Sequence, residues 1–388
     1  MNTLIKKEIS QRLANLQSII AEAKADACLI STSVNQFYLL GFIFDGYIFI
    51  RPEGDPILFV KRPHGIQGNN VVYIRKPEQI PDFLRNLNIP LPKKLMLEND
   101  VLPFSTVTRL QAALEMPGLL NISGEMRRIR SVKSDYELNQ MRECAQIHAR
   151  VYAKIPEIYR KGMTDIEFQV ELEREMRLAG SEGTFRAFGE NMDIFMGSIL
   201  AGNNAQTASP FDFALGGQGI SPLLPIGANG TQLAPGTTLM IDMAGNYRPW
   251  MSDISRTFAI GTVPETAYKA HQVSIDICNT IAATTKAGTP CADLYFLAEE
   301  MARKNNLEDY FMGTQQQAKF VGHGVGLEIN EPPVLAPRSG EILRAGMAIA
   351  VEPKFVLPDI GAVGIENTYV VHRDRLEKIT HCEERLIA

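Results

Sequence analysis

Residues 237–260, TTLMIDMAGNYRPWMSDISRTFAI, read as two strand runs around a turn-forming NYRP, and each run carries an aspartate, Asp242 and Asp253. Asp242 sits among apolar residues, where a carboxylate is costly unless it is paired or coordinates a metal. Residues 347–371, MAIAVEPKFVLPDIGAVGIENTYVV, repeat the arrangement, with Glu352 and Glu366 on either side of LPDI. If each pair of runs forms a hairpin, cross-strand pairing brings Asp242 toward Asp253 and Glu352 toward Glu366. Four carboxylates on one sheet face repel one another and call for cations. A single acid in a strand is most often solvent-facing; four in two hairpins, two of them set in apolar runs, argue against that explanation.

Residues 322–333, GHGVGLEINEPP, add a histidine. His323 lies between glycines, where backbone can approach closely and the imidazole can project. Imidazole with carboxylates suits Mn, Fe, Co or Zn better than calcium. The glycines lack the spacing of a dinucleotide fingerprint, and the H-E-x-x-H, G-x-S-x-G and Walker A patterns are absent.

Around these strands the chain alternates with helices. Two capping boxes, Ser134-Asp-Tyr-Glu137 and Thr164-Asp-Ile-Glu167, open helices that run toward Gly162 and Gly180. Pro264–Lys286 and the stretch after Gly288 form a second helix pair, so the region hints at an internal pseudo-repeat in which each helix pair feeds strands. His148 has no acidic or histidine partner at helical spacing and reads as structural. Helices feeding antiparallel hairpins make an α+β domain. Upstream, a helix over Glu8–Lys24 and the short runs ACLIST, YIFIR, DPILFVK, VVYIR and LMLEN make a separate α/β unit, joined through a charged connector, NISGEMRRIRSVKSDYE.

The 388 residues suit two or three domains, and 45% hydrophobic against 21% charged residues suits a globular core. A net charge of −5 argues against nucleic acid or an anionic membrane as an obligate partner. No apolar run approaches the ~18 residues of a membrane span. Five scattered cysteines without a C-x-x-C point to reduced thiols and a cytoplasmic location.

IDMAGNYRPWMSDISRTF, GHGVGLEINEPP, AVEP and GIENTYVV resemble the motifs of the pita-bread metallopeptidases, the family of Xaa-Pro aminopeptidases, prolidases and methionine aminopeptidases, with creatinase as a relative. The family order Asp, Asp, His, Glu, Glu is matched at Asp242, Asp253, His323, Glu352 and Glu366, with the family's interval of 11 between the first two. RLANLQSIIAEAKADACLISTSVNQFYLLGF resembles the creatinase-type N-terminal domain. The resemblance implies a creatinase-like α/β N-terminal domain over residues 1–125 and a pita-bread catalytic domain over 126–388.

It further implies a centre of two divalent ions, manganese first, with cobalt, zinc or iron as alternatives. On that resemblance Asp242 would chelate one ion, His323 and Glu352 the other, with Asp253 and Glu366 bridging. By the same resemblance the ions would supply hydroxide for attack on the scissile carbonyl, and Glu352 would pass the proton to the leaving nitrogen. The implied function is an Xaa-Pro aminopeptidase or dipeptidase acting on short peptides, as a homodimer. The alternatives are a metal-dependent hydrolase of a small non-peptide amide, like ectoine hydrolase, and a non-catalytic pita-bread binding protein. Three positions depart from the family pattern. Asn330 stands where G-H-G-x-G-x-x-x-H-E has its second histidine, Phe211 where another histidine follows a proline, and Gly364 where an arginine is common. Asn330, which can donate a hydrogen bond but not carry a proton, and Asp212 are the expected substrate-side groups.

Overall fold

The computed structural model describes residues 3–189 and 195–386. The chain divides into two compact units, Met1–Arg130 and Ser131–Ala388.

In the first unit the elements run α1 (Thr3–Glu22), β1 (Ala27–Ile30), α2 (Ser33–Leu40), β2 (Asp45–Ile50), β3 (Ile57–Arg62), β4 (Val71–Tyr73), α3 (Ile80–Asn86), β5 (Lys94–Leu97), α4 (Phe104–Ala113), β6 (Gly118–Asn121) and α5 (Ser123–Ser131). The strands form one six-stranded sheet in the order β4-β3-β2-β1-β5-β6. Its inner strands are buried, with Leu29, Phe49, Phe59 and Leu97 in a common core. The expected connector is helical at its start. Met126 is buried on the inner side of α5, and Arg128 Nε donates to Glu125 Oε2 at 2.8 Å along its exposed side, which outweighs the cost of Gly124.

The second unit opens with α6 (Asp135–Tyr152), α7 (Ile155–Ile158) and α8 (Asp165–Leu178). Both capping boxes are formed: Glu137 N–H donates to Ser134 Oγ at 3.3 Å, and Glu167 N–H to Thr164 Oγ1 at 3.2 Å. The first helix stops earlier than Gly162; Pro156, which has no N–H to continue it, sits in the first turn of α7. Then come β7 (Gly197–Ala201), β8 (Thr237–Gly245), β9 (Ser252–Ile260), α9 (Glu265–Thr284) and α10 (Cys291–Lys304). The chain closes with β10 (Gly322–Gly324), β11 (Glu331–Val334), β12 (Ala348–Val351), β13 (Lys354–Leu357), β14 (Gly361–Gly364), β15 (Asn367–Val371) and β16 (Leu376–Lys378).

Each helix pair covers its own strands. Tyr152, Phe168 and Leu172 of α6 and α8 pack with Ile199, Ile241 and Ile254 of the sheet β7-β8-β9. Ile277, Ile281 and Leu294 of α9 and α10 share a core with Ile349, Phe355 and Tyr369. The first hairpin forms as expected, β8 pairing with β9. The second is interrupted: β12 pairs with β15 in the sheet β11-β10-β12-β15-β16, while β13 and β14 form a separate ribbon. The interruption falls at Glu352-Pro353 on one strand and Ile365-Glu366 on the other, because a proline cannot donate to the ladder.

The β8–β9 hairpin is held from α6. The Tyr152 hydroxyl accepts from Met243 N–H at 3.1 Å and donates to Ile254 C=O at 2.7 Å, between the positions of Asp242 and Asp253. His148, one turn earlier, is fully buried, with Nδ1 3.1 Å from Ser252 Oγ. Burial first, and the nearby Arg256 charge second, depress its pKa from 6.5 to about 3.

Replacing Tyr152 by Phe leaves two buried backbone groups without this partner. We expect a loss of about 1–3 kcal/mol, read as a lower urea midpoint at unchanged slope; an unmoved midpoint contradicts the bridging role. His148 is neutral in the fold, whereas the unfolded chain takes up a proton below pH 6.5, so its contribution is present above that pH and lost as pH falls toward 3. Between pH 7 and pH 4.5 the wild type should therefore lose up to roughly 3 kcal/mol more than His148→Gln. Equal losses in urea titrations of the two proteins contradict the assignment.

Candidate metal centre

Asp242 lies opposite Ser255 and Asp253 opposite Ala244, so the two aspartates are diagonal neighbours two residues apart and share one sheet face. His323 pairs with Ala350 on β12, which places Glu352, two residues on, on the same side as the imidazole. Val351 pairs with Asn367, and the next two residues, Glu352 and Glu366, stand where the strands part. All five expected ligands are thereby brought together. Asp253, Glu352 and Glu366 are buried, while the side chains of Asp242 and His323 keep 28% and 15% exposure and form the open rim.

The glycines beside His323 serve close packing. A Cβ on Gly322 would lie 2.2 Å from Ala350 O, and one on Gly324 2.2 Å from Pro332 O. The loop beyond is organised by Glu331, whose buried carboxylate pairs with the buried Lys133 ammonium at 3.1 Å and accepts from Leu327 N–H at 3.2 Å. Behind the centre, Arg256 ties β9 to β15: its Nη1 donates to Ser255 O and Glu366 O, both at 2.7 Å, and Nη2 to Asn367 Oδ1 at 2.9 Å. Thr368 Oγ1 adds a second tie, accepting from Asp253 N–H at 2.8 Å.

A residue that the sequence reading passed over lies inside the cluster. Lys354, wholly buried, points its ammonium at three of the four carboxylates: Nζ is 2.8 Å from Asp242 Oδ2, 2.6 Å from Glu352 Oε2 and 3.3 Å from Glu366 Oε2. Its signal was the spacing, since a residue two after Glu352 shares its face wherever the backbone stays extended. Burial works against the charged form of Lys354, but the pull of Asp242, Glu352 and Glu366 outweighs it and the pKa rises. Burial likewise pushes the Asp253 carboxyl well above the usual range, aided by the charges of Asp242 and Glu352. Glu366 is raised in the same way, by burial and then by Asp253 and Glu352.

Two donor sets have ligand atoms within 4.8 Å of one another: Asp253, His323 and Glu366, and Asp242, Glu352 and Glu366. The first fits a divalent ion. His323 Nε2 lies 3.9 Å from Asp253 Oδ2, and Glu366 Oε1 is buried without a hydrogen-bond partner, an orphaned acceptor that asks for a cation. The second set does not fit one as it stands, because its oxygens already converge on the Lys354 ammonium.

The two expected substrate-side residues make contacts of their own. The Asn330 amide is engaged with backbone, donating to Phe188 O at 2.6 Å and accepting from Phe188 N–H at 2.7 Å. Asp212 is exposed, on a cavity lined also by Ser209, Thr314 and Gln316.

Residues 139–373 match the Metallopeptidase family M24, and residues 12–132 the Creatinase/Prolidase N-terminal domain. The chain is 24% identical over 386 residues to an uncharacterized peptidase of Bacillus subtilis, covering 97% of this chain and 99% of that protein. It is also 24% identical to an Xaa-Pro dipeptidase of Pyrococcus horikoshii, over 98% of this chain and 99% of that one. The solved structure of an Xaa-Pro dipeptidase from Bacillus anthracis superposes with a TM-score of 0.81 at 24% identity, over 98% of this chain and 99% of that one. With the five expected acid and imidazole ligands gathered in the matched region, the chain belongs to metallopeptidase family M24, and its fold is a creatinase-type N-terminal domain followed in the chain by a pita-bread domain.

Proposed function

We propose that this protein is a metal-dependent peptidase of short peptides, cleaving the bond before proline as an Xaa-Pro dipeptidase or aminopeptidase. The observation that carries the proposal is the Asp253–His323–Glu366 donor set, with Glu366 Oε1 buried and unpartnered, in a family M24 chain. End-to-end similarity to Xaa-Pro dipeptidases supports the substrate class. The mixed imidazole and carboxylate donors suit manganese, with cobalt, zinc or iron also compatible. A bound divalent ion polarises a carbonyl and acidifies water.

Around that chemistry the chain's own groups have separate tasks. Asp253, His323 and Glu366 hold the ion. Glu352 Oε1, 3.4 Å from His323 Nε2, is the proposed proton carrier to the leaving nitrogen. Asn330, through its hold on Phe188, and Asp212 are the proposed substrate-side residues. The reading includes a homodimer in the cytoplasm. Five free cysteines support that location, and no described helix is long and apolar enough to cross a membrane.

A second substrate class, a small non-peptide amide, is favoured by one observation. Asn330 and Phe211 stand where the resemblance places histidines, and one N–H and the oxygen of the Asn330 amide are engaged by the Phe188 backbone.

A panel of Xaa-Pro dipeptides, longer Xaa-Pro peptides and small cyclic amides, assayed with Mn²⁺, tests the proposal. Wild type should cleave Xaa-Pro bonds, and Glu366→Ala should lower kcat/KM by about 10²-fold or more with an unchanged circular-dichroism spectrum. Normal turnover in Glu366→Ala contradicts its role as a ligand. Asn330→His restores the family residue and should raise Xaa-Pro cleavage. If Xaa-Pro cleavage stays at background in both proteins while wild type opens a cyclic amide, the peptidase proposal is wrong.

A further inference from the structure

Lys354 begins β13 just past the interruption in the second hairpin, and its side chain is wholly buried. An ammonium has three hydrogens and no lone pair. Here it meets three carboxylates that arrive from different strands: Asp242 from β8, Glu352 from the end of β12, and Glu366 from the start of β15. These are the three residues of the second donor set.

The two glutamates divide their oxygens between the halves of the centre. Glu352 Oε2 faces Lys354 at 2.6 Å, while Oε1 faces His323 Nε2 at 3.4 Å. Glu366 Oε2 faces Lys354 at 3.3 Å and accepts from Ser255 Oγ at 2.6 Å, while its Oε1 is buried without a partner. One half is therefore satisfied by a cation of the chain itself, and the other half presents an orphaned acceptor beside His323 and Asp253. Across the ribbon Lys354 pairs with Gly364. A Cβ there would lie 2.6 Å from Pro353 O and 3.1 Å from Lys354 Cα, so the facing strand brings no side chain of its own.

We propose that Lys354 is a built-in cation that takes one of the two cation positions of this centre, so that the protein binds a single divalent ion, held by Asp253, His323 and Glu366. An ion in the second set must draw Asp242 Oδ2, Glu352 Oε2 and Glu366 Oε2 into its own coordination sphere, which removes the hydrogen-bond acceptors of a buried ammonium and sets two cations side by side. The two occupants exclude each other. This inference rests on the reading of the cluster as a metal site, but not on the substrate.

The test is ion counting on the full-length protein, stripped with chelator and then dialysed to equilibrium against Mn²⁺. Wild type should hold one ion per chain, Lys354→Ala two. Asp253→Asn should hold none, whereas Asp242→Asn, altered on the ammonium side, should keep one ion with affinity within about threefold of wild type. If Lys354→Ala does not fold, the wild-type count together with the two aspartate variants decides. Two ions or none in wild type, or equal loss of binding in Asp242→Asn and Asp253→Asn, overturns the assignment. One ion without Xaa-Pro cleavage removes the proposed substrate and leaves the single-ion centre standing. Two ions with brisk Xaa-Pro cleavage do the reverse.

Discussion

Four carboxylates share one interior, and that constraint governs the second unit of this protein. Two unit charges about 4 Å apart repel by roughly 4 kcal/mol at an effective dielectric of 20, and three of these four acids are buried. Such a cluster persists only if cations enter it or protons neutralise it; burial first, and the neighbouring acid charges after it, hold the Asp253 and Glu366 carboxyls well above the usual carboxylate range. Lys354 supplies one positive charge from the chain. The remaining demand is concentrated on the His323 side, where Glu366 Oε1 has no partner.

The strands deliver these groups through simple periodicity. Asp242 and Asp253 share a face because their register is offset by two, and His323 and Glu352 meet because β10 pairs with β12 two residues before the glutamate. The interruption at Pro353 parts Glu352 from Glu366, whose N–H groups donate instead to Val321 O at 2.9 Å and Ser255 O at 3.1 Å, and Lys354 turns into the same space. Rigidity comes from behind: Tyr152 clamps the first hairpin, and Arg256 and Thr368 stitch β9 to β15. A site built on paired strands with buried polar ties is held more firmly than one carried on loops.

Much of this was legible in the sequence for physical reasons. Asp242 and Glu352 stood out because an acid within an apolar strand run is costly, and Gly322 and Gly324 marked close approach around His323. Lys354 did not stand out, since a lysine in a strand is ordinarily solvent-facing, and only the three-dimensional meeting of β8, β12 and β15 shows what it faces. The interrupted hairpin was hidden because both halves of residues 347–371 carry the same strand pattern. Tyr152 and Arg256 escaped notice because each bridges residues about 100 positions away, a separation over which local patterns say nothing. The bonds between the Asn330 amide and the Phe188 backbone were likewise hidden, a pairing that no spacing rule signals.

The centre combines an enzyme family that works through divalent ions with a cluster in which one cation position is already filled by protein. Anomalous diffraction at the manganese edge, from crystals equilibrated with Mn²⁺, tests that combination most directly. A single anomalous peak among Asp253, His323 and Glu366, at about 2.2 Å from its ligands, with the Lys354 ammonium still among Asp242, Glu352 and Glu366, is the expected result. Two peaks a few ångströms apart, with Lys354 displaced from the cluster, would contradict it.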